Sequence, residues 1–471
     1  MVQAINENFL KLIDRRRILF IGILASILFF TPLCNKTNDA PVVYTDPPPL
    51  SQLNAQVTLQ WADMTLYTIR FSAFNTPSYA SRSLGYLGLA MYESVVAGNA
   101  SKKSMDGQLN GLTLPQAEAG KKYNWILSMN AVEDTLLKLL YPVPENSHPY
   151  IHARIDFMAD SIYQSQAKIT DPEICDRSVS YGRAVALAIY NWSLDDGGDQ
   201  GYKRNFDPSF PYPSGPSYWV PPNYGQTVSY YPLHPHWGDN RTFVKANGTI
   251  PVPAIVPFSK DTSSVYYHLY KAVYDKNKIL TEEEKRIAGW WSDEPTQTFS
   301  PPGHSYYLAA TAVKKSNASL AKAAESFART GMALADAFIN CWKVKYTYYN
   351  ERPSTYVRKY IDSFWVQYWP EPPFPAFPSG HSIQSASAAT VLTDIYGDPF
   401  PFTDNAFNGE HRYPYYNLEY LPRSFNSFLE AANECAYSRF LGGIHTQQDN
   451  DVGASEGQTV GDNVNALLWN K

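Results

Sequence analysis

LAKAAESFARTGMALADAFINCWKVK, residues 320–345, decides the fold class. Its apolar residues recur at three- and four-residue steps, the period of one face of an α-helix. The same period predicts helices over 57–74, 81–96, 124–140, 153–167, 176–193, 282–291 and 305–314. Between them, 197–240 and 398–422 are rich in Pro, Tyr, Gly and Asn and read as long ordered loops. The fold class is therefore all-α, with long Pro/Tyr-rich loops. No internal repeat is visible.

Working outward from Lys345, the next informative residues are Arg352-Pro353. Seven residues are about two helical turns, so a continuing helix puts Lys345 and Arg352 on one face. Pro353 disfavours helical geometry at Arg352, so the helix ends near there and Arg352 leaves it toward whatever Lys345 faces. Pro378-Ser379-Gly380-His381 follows, and then a small-residue helix over 382–392. Ser379 is its candidate N-cap. The free N–H groups and positive dipole end of such a helix suit an anion, and Gly380 lets the backbone come close. Ser438-Arg439 supplies a planar fork of donors for paired oxygens. His445 follows Gly442-Gly443, and Asp449 lies four residues further on, where it can fix the tautomer of the histidine. Singly these signals are weak: a lone histidine is more often a surface or satisfied core residue, and a Lys/Arg pair is usually a solvated face. Together they bring three cations, two histidines, a hydroxyl and a glycine-opened turn into one block. That inventory suits a tetrahedral or trigonal-bipyramidal oxyanion.

Composition narrows the classes. The 471 residues are 44% hydrophobic and carry 35 Tyr and 11 Trp, enough for a sizeable core. The net charge of −5 predicts no attraction to nucleic acid, and no Gly-rich nucleotide loop stands out. Cys34, Cys175, Cys341 and Cys435 form no close pair and no zinc spacing. Cys34 ends a segment with Arg15-Arg16-Arg17 and an apolar run from Ile18 to Leu33, the layout of a secretory signal over 1–34. Its position suggests a lipoprotein, exported to the periplasm or cell surface and lipid-anchored at Cys34; Leu33 departs from the small residue usual before such a cysteine. An uncleaved anchor helix is the alternative. Residues 35–52, with Pro47-Pro48-Pro49, read as a tether. After residue 34 no apolar run approaches the ~20 residues of a membrane span, so membrane association is expected only through the N-terminal anchor.

The three C-terminal segments resemble the signature shared by vanadium-dependent haloperoxidases and the phosphatidic acid phosphatase type 2 superfamily. That signature is Lys, six residues, Arg-Pro; then Pro-Ser-Gly-His; then Ser-Arg, five residues, His, three residues, Asp. All three parts match without substitution, and the 56 residues between the second and third read as carrying an inserted loop around 399–422. Trp342, Pro372-Pro373-Phe374-Pro375-Ala376-Phe377, and Trp291-Ser292-Asp293 with Thr298 and Pro301-Pro302-Gly303-His304 are similar to the haloperoxidase branch. His234-Pro235-His236-Trp237-Gly238 is similar more weakly. The lipid phosphatases carry the signature on several membrane helices, which this chain lacks after residue 34.

The resemblance implies a haloperoxidase-like domain over 53–471, built around two four-helix bundles with its site in 290–455. It implies one vanadate per chain, with His445 on vanadium and Lys345, Arg352, Arg439, Ser379 and the Gly380 N–H around the oxygens. His381 would deprotonate hydrogen peroxide, and Lys345 would polarise the bound peroxide for attack by halide, giving hypohalous acid. Asp449 would orient His445, Asp293 would pair with Arg439, and Trp342 and Phe374 would line the halide side. The alternatives are a secreted acid phosphatase using His445 through a phosphohistidine, and a non-catalytic surface lipoprotein binding oxyanions or carbohydrate. Halide preference, organic acceptor and oligomeric state are not encoded in these motifs.

Overall fold

The computed structural model describes residues 44–227, 229–411, 415 and 417–471. The charged and apolar segment ending at Cys34 lies outside the described residues. Thirteen α-helices and one short hairpin are present among them. The first group is α1 (Gln56–Phe71), α2 (Pro77–Glu93), α3 (Trp125–Leu140), α4 (Pro149–Ala167) and α5 (Pro172–Ser193). After the long loop come α6 (Val265–Asn277), α7 (Glu282–Trp290), α8 (Ser300–Lys315), α9 (Leu320–Tyr348) and α10 (Pro353–Tyr360). The last group is α11 (Gly380–Tyr396), the antiparallel pair β1 (Phe402–Asp404) and β2 (Arg423–Phe425), α12 (Phe428–Leu441) and α13 (Gln447–Asn465).

Local chemistry sets the helix starts. Asn124, Ser319, Ser379 and Ser427 each accept a first-turn backbone N–H through the side chain. Thr446 and Asp449 form a reciprocal capping box at the start of α13. Tyr349 takes a left-handed φ of 53° and its N–H closes on the Lys345 carbonyl at 2.8 Å, ending α9. Arg352 is therefore not on the α9 face with Lys345. It is the N-cap residue of α10, and the two side chains meet from different elements.

Packing gives two bundles. α1, α2, α3 and α5 pack together with α4 flanking, and α9, α11, α12 and α13 form the other. α9 also lies along α2, and α8 touches α1, α2, α9 and α11, so one continuous apolar core joins the bundles. Among the described residues no helix is long and apolar enough to cross a membrane. Tyr266, Tyr270, Val273, Tyr356, Val357 and Trp365 make a second small core under α6 and α10, behind Arg352.

The expected helices are present, with ends moved by a few residues. α6, α10, α12 and α13 are additional to the expectation. α13, QQDNDVGASEGQTVGDNVN, has almost no apolar residues to show a period. It packs through glycine instead: a Cβ on Gly457 would lie 2.2 Å from the Ile383 carbonyl oxygen of α11, far inside contact distance. Gly457→Ala must push α11 and α13 apart. The expected loss is about 2 kcal/mol, read as a lower denaturant midpoint with unchanged slope; an unchanged midpoint would mean that this crossing does not clamp the two helices.

Candidate active site

Three chain segments converge where α11 and α13 begin. The Ser379 N–H bonds the Asp449 carbonyl at 2.9 Å, which ties the two helix starts together. Lys345, on the last turns of α9, is fully buried. Its ammonium donates to the carbonyls of Pro375 (2.8 Å), Ala376 (2.7 Å) and Pro378 (2.5 Å). Arg352 donates Nε and Nη2 to the Phe374 carbonyl at 3.0 and 2.9 Å, and Nη1 to Ile444 at 2.9 Å. The same Nη1 lies 3.1 Å from Nε2 of His445. The Pro-rich approach 372–378 thus exists to turn carbonyls onto two cations. The Phe374 ring stands 5.2 Å from each of them.

His445 has a defined tautomer. An arginine can only donate, so Nε2 accepts from Arg352 and carries a lone pair. Nδ1 then carries the proton and donates to Asp449 Oδ2 at 3.1 Å. Asp449 Oδ2 also accepts the Thr446 N–H at 2.9 Å, so one carboxylate caps α13 and orients the imidazole. His381 sits in the first turn of α11. Its Nε2 is buried without a partner.

Arg439 donates Nε to Ser438 Oγ at 3.0 Å and Nη2 to the Ala288 carbonyl at 2.9 Å. Its Nη1 is buried and unpartnered. The expected Asp293–Arg439 pair does not form. Asp293 instead accepts from His304 Nδ1 at 3.0 and 3.1 Å, because its left-handed backbone (φ 51°) turns the carboxylate toward α8. Asp293 still acts on Arg439 through space. Ser379 spends its hydroxyl on the Ser382 N–H as the helix cap.

A cavity of about 360 Å³ reaches His381, His445 and Asp293, with Lys345, Arg352 and Arg439 outside its lining. Gly380, His381, Ile444 and His445 form its floor, and Phe338, Trp342, Phe374 and Leu233 form an apolar wall. Trp342 lies 5.0 Å from Phe374 and donates its N–H to the Leu233 carbonyl, just ahead of the His234–Gly238 segment. His234 itself is a neutral core residue held by Ser78 at 2.7 Å. Sequence reasoning missed Glu294 on the opposite wall, which accepts from Trp369 (2.7 Å) and Gln226 (2.8 Å). Its only signal was adjacency to Trp291-Ser292-Asp293.

The electrostatics are lopsided. Burial pushes the site cations down against the pull of nearby acidic groups: Arg352 falls to about 10, and Lys345 and Arg439 also lie below their ordinary values, with repulsion from Arg352 adding to the shift of Lys345. Burial, followed by the neighbouring cations, drives His445 and His381 well below the usual imidazole range. Asp449 and Glu371 are raised by burial, with nearby cations acting against it. Buried cations with an orphaned N–H donor need an anion to complete them. A multivalent oxyanion fits this donor set, and His445 Nε2 offers a lone pair for its central atom.

Comparison with known proteins agrees with that geometry. The family model for the VCPO second helical-bundle domain matches residues 325–470. No curated protein sequence matches. A solved bacterial vanadium-dependent iodoperoxidase is 31% identical at TM-score 0.75, over 90% of this chain and 98% of its own. Apo-type and holo-type bacterial vanadium-dependent chloroperoxidases share the fold at 15% identity, with TM-scores of 0.62 and 0.58. The first covers 88% of this chain and 98% of its own; the second covers 90% and 94%. On its fold and on the iodoperoxidase likeness across nearly its whole described length, the chain belongs to the vanadium-dependent haloperoxidase family.

Proposed function

We propose that the protein binds one vanadate and oxidises a halide with hydrogen peroxide, releasing hypohalous acid or an equivalent electrophilic halogen. The observation that carries this reading is the cluster of buried cations packed behind His445, which itself lines a largely apolar cavity, with one Arg439 N–H left without a partner. Iodide is the first halide to test, because the 31% identical relative is an iodoperoxidase.

The roles follow from the contacts. His445 would bind vanadate through Nε2, with Asp449 on Nδ1–H holding the tautomer. Arg439 would hold an oxygen through its free Nη1, Arg352 and Lys345 would do so by exchanging carbonyl partners for it, and the first-turn N–H groups of α11 at Gly380 would join them. When bound, vanadate supplies a pentavalent Lewis acid that activates hydrogen peroxide toward halide without changing oxidation state. His381 takes the proton from incoming peroxide at Nε2, the nitrogen left without a partner. Lys345 supplies positive charge to the transferred oxygen. Trp342 and Phe374 keep water away from the halide side.

Orthovanadate-loaded protein should oxidise iodide with peroxide. His445→Ala should lose vanadate binding and turnover together. His381→Ala should keep vanadate while turnover falls by ~10²–10⁴-fold. Hydrolysis of phosphate esters in vanadate-free buffer, with no oxidation of iodide, bromide or chloride, would overturn this reading in favour of the phosphatase.

Gly380 offers a sharper separation of fold from function. A Cβ there meets nothing closer than 3.8 Å, at Cys341 and Trp342, so packing does not demand glycine. Gly380→Ala should fold with wild-type stability and bind vanadate more weakly, on the order of tenfold, or ~1.4 kcal/mol. Wild-type affinity in this variant would remove the Gly380 backbone from the oxyanion site.

A further inference from the structure

His234 lies outside every role assigned above, yet its backbone is held in a strained turn beside the cavity. Its φ is 51°, a left-handed conformation that a non-glycine residue does not adopt freely. Pro235 also presses the residue before it toward extended backbone. Such a turn persists only where its surroundings hold it. The hold is the imidazole, which is 3% exposed. Nδ1 lies 2.7 Å from Ser78 Oγ in the first turn of α2, and Nε2 lies 2.8 Å from Asn205 Oδ1 and 3.2 Å from the Gly201 carbonyl. A carbonyl can only accept, so Nε2 carries the proton and Nδ1 accepts from the serine hydroxyl. The Trp237 ring stacks on the imidazole at 4.8 Å.

The turn fixes Leu233, the residue before it. The Leu233 N–H donates to the Pro373 carbonyl at 2.8 Å, and the His234 N–H donates to the Asn205 carbonyl at 2.8 Å. The Leu233 carbonyl then faces α9, where it accepts the Trp342 indole N–H at 3.1 Å and the Tyr346 hydroxyl. Leu233, Phe338, Trp342 and Phe374 are the apolar wall of the cavity, with the Trp342 ring 5.3 Å from Phe338 and 5.0 Å from Phe374. Trp342 has one hydrogen-bonding group, an N–H donor. Spent on Leu233, it offers nothing to the cavity.

We propose that Leu233 and His234 form a latch that positions this wall and makes it select iodide over bromide, an inference that rests on the proposed function. A halide that packs against the wall sheds water, and a wall without a donor returns nothing for the lost hydration. Iodide, the larger and more weakly hydrated ion, loses least there. Bromide needs a replacement donor and is disfavoured. Holding the Trp342 N–H on the Leu233 carbonyl keeps the wall free of donors. His234 does not line the cavity and acts through Leu233, so it is a positioning residue.

The latch joins distant parts of the chain. Ser78 belongs to the first bundle, Leu233 and His234 to the long loop, and Trp342 and Pro373 to the segments that build the site. Phe206, from the same loop, pairs with Leu233 as an antiparallel bridge. Burial keeps the His234 ring neutral, down to about 3, although the Gly201 carbonyl favours the charged form. A neutral ring is what acceptance from Ser78 requires. Cutting the imidazole ties therefore frees the turn, moves the Leu233 carbonyl and returns the Trp342 N–H to the cavity.

His234→Gly tests the latch, because glycine accepts the left-handed turn but loses both side-chain ties. Protein labelled with ¹⁵N-tryptophan is studied by NMR without vanadate, with the Trp342 indole signal assigned by its loss in Trp342→Phe. That N–H should exchange slowly with solvent in the wild type and about tenfold faster in His234→Gly, the worth of one hydrogen bond. With vanadate, KM for iodide should rise while kcat and vanadate affinity stay near wild type, and the bromide-to-iodide ratio of kcat/KM should rise about tenfold. Adding Trp342→Phe to His234→Gly removes the released donor and should lower that ratio again, which a general loosening of the fold would not do. Fast indole exchange in the wild type, or an unchanged exchange rate or ratio in folded His234→Gly, would overturn the proposal. If His234→Gly does not fold, Ser78→Ala, which cuts the tie to α2 alone, decides it on the same two readings. If the wild type oxidises no halide, the proposed function fails, while the exchange pattern still supports the latch.

Discussion

Charge without a counter-charge is the constraint around which this molecule is arranged. Lys345, Arg352 and Arg439 are buried at the end of one bundle, and they spend their hydrogen bonds mainly on carbonyls, with Asp449, Glu371 and Asp293 acting on them only through space. Carbonyls stabilise a cation without neutralising it, so the surplus stays available to a ligand. The protein holds this arrangement because the groups sit on the stiffest parts of the fold: the end of the 29-residue α9, the caps of α10, α11 and α13, and the last turn of α12.

Asp449 shows how economically the site is built. One carboxylate caps α13, orients His445, and belongs to the residue whose carbonyl receives the Ser379 N–H. Asp449→Asn therefore alters helix start, imidazole tautomer and local charge together. The close approach of α13 to α11, through Gly453 and Gly457, makes that economy available.

Much of this was legible in the residues. The period of 320–345, the Ser379 cap and the His445–Asp449 spacing are local signals, and each is present as read. Arg352 was placed correctly against Lys345, but as the cap of a new helix, because the left-handed turn at Tyr349 has no glycine to announce it. α13 was invisible because its contact face is glycine and small polar side chains. The partner of Asp293 was misread because pairing across 11 and 100 residues, from Asp293 to His304 to Asp404, leaves no periodic trace. Asp404 in particular lies in a loop whose composition announces turns, not a buried anion.

The central claim, an oxyanion-sized deficit of negative charge, can be tested without any turnover. Tungstate is a tetrahedral dianion with no proton to lose near neutral pH, so protons that move on binding belong to the protein. Calorimetric titration at pH 8 in two buffers of different ionisation enthalpy should show one tungstate per chain with net proton uptake, because burial and repulsion hold Lys345 below its ordinary value in the empty pocket and the anion raises it again. Affinity should weaken as pH rises. No binding, or binding with proton release, would contradict the account.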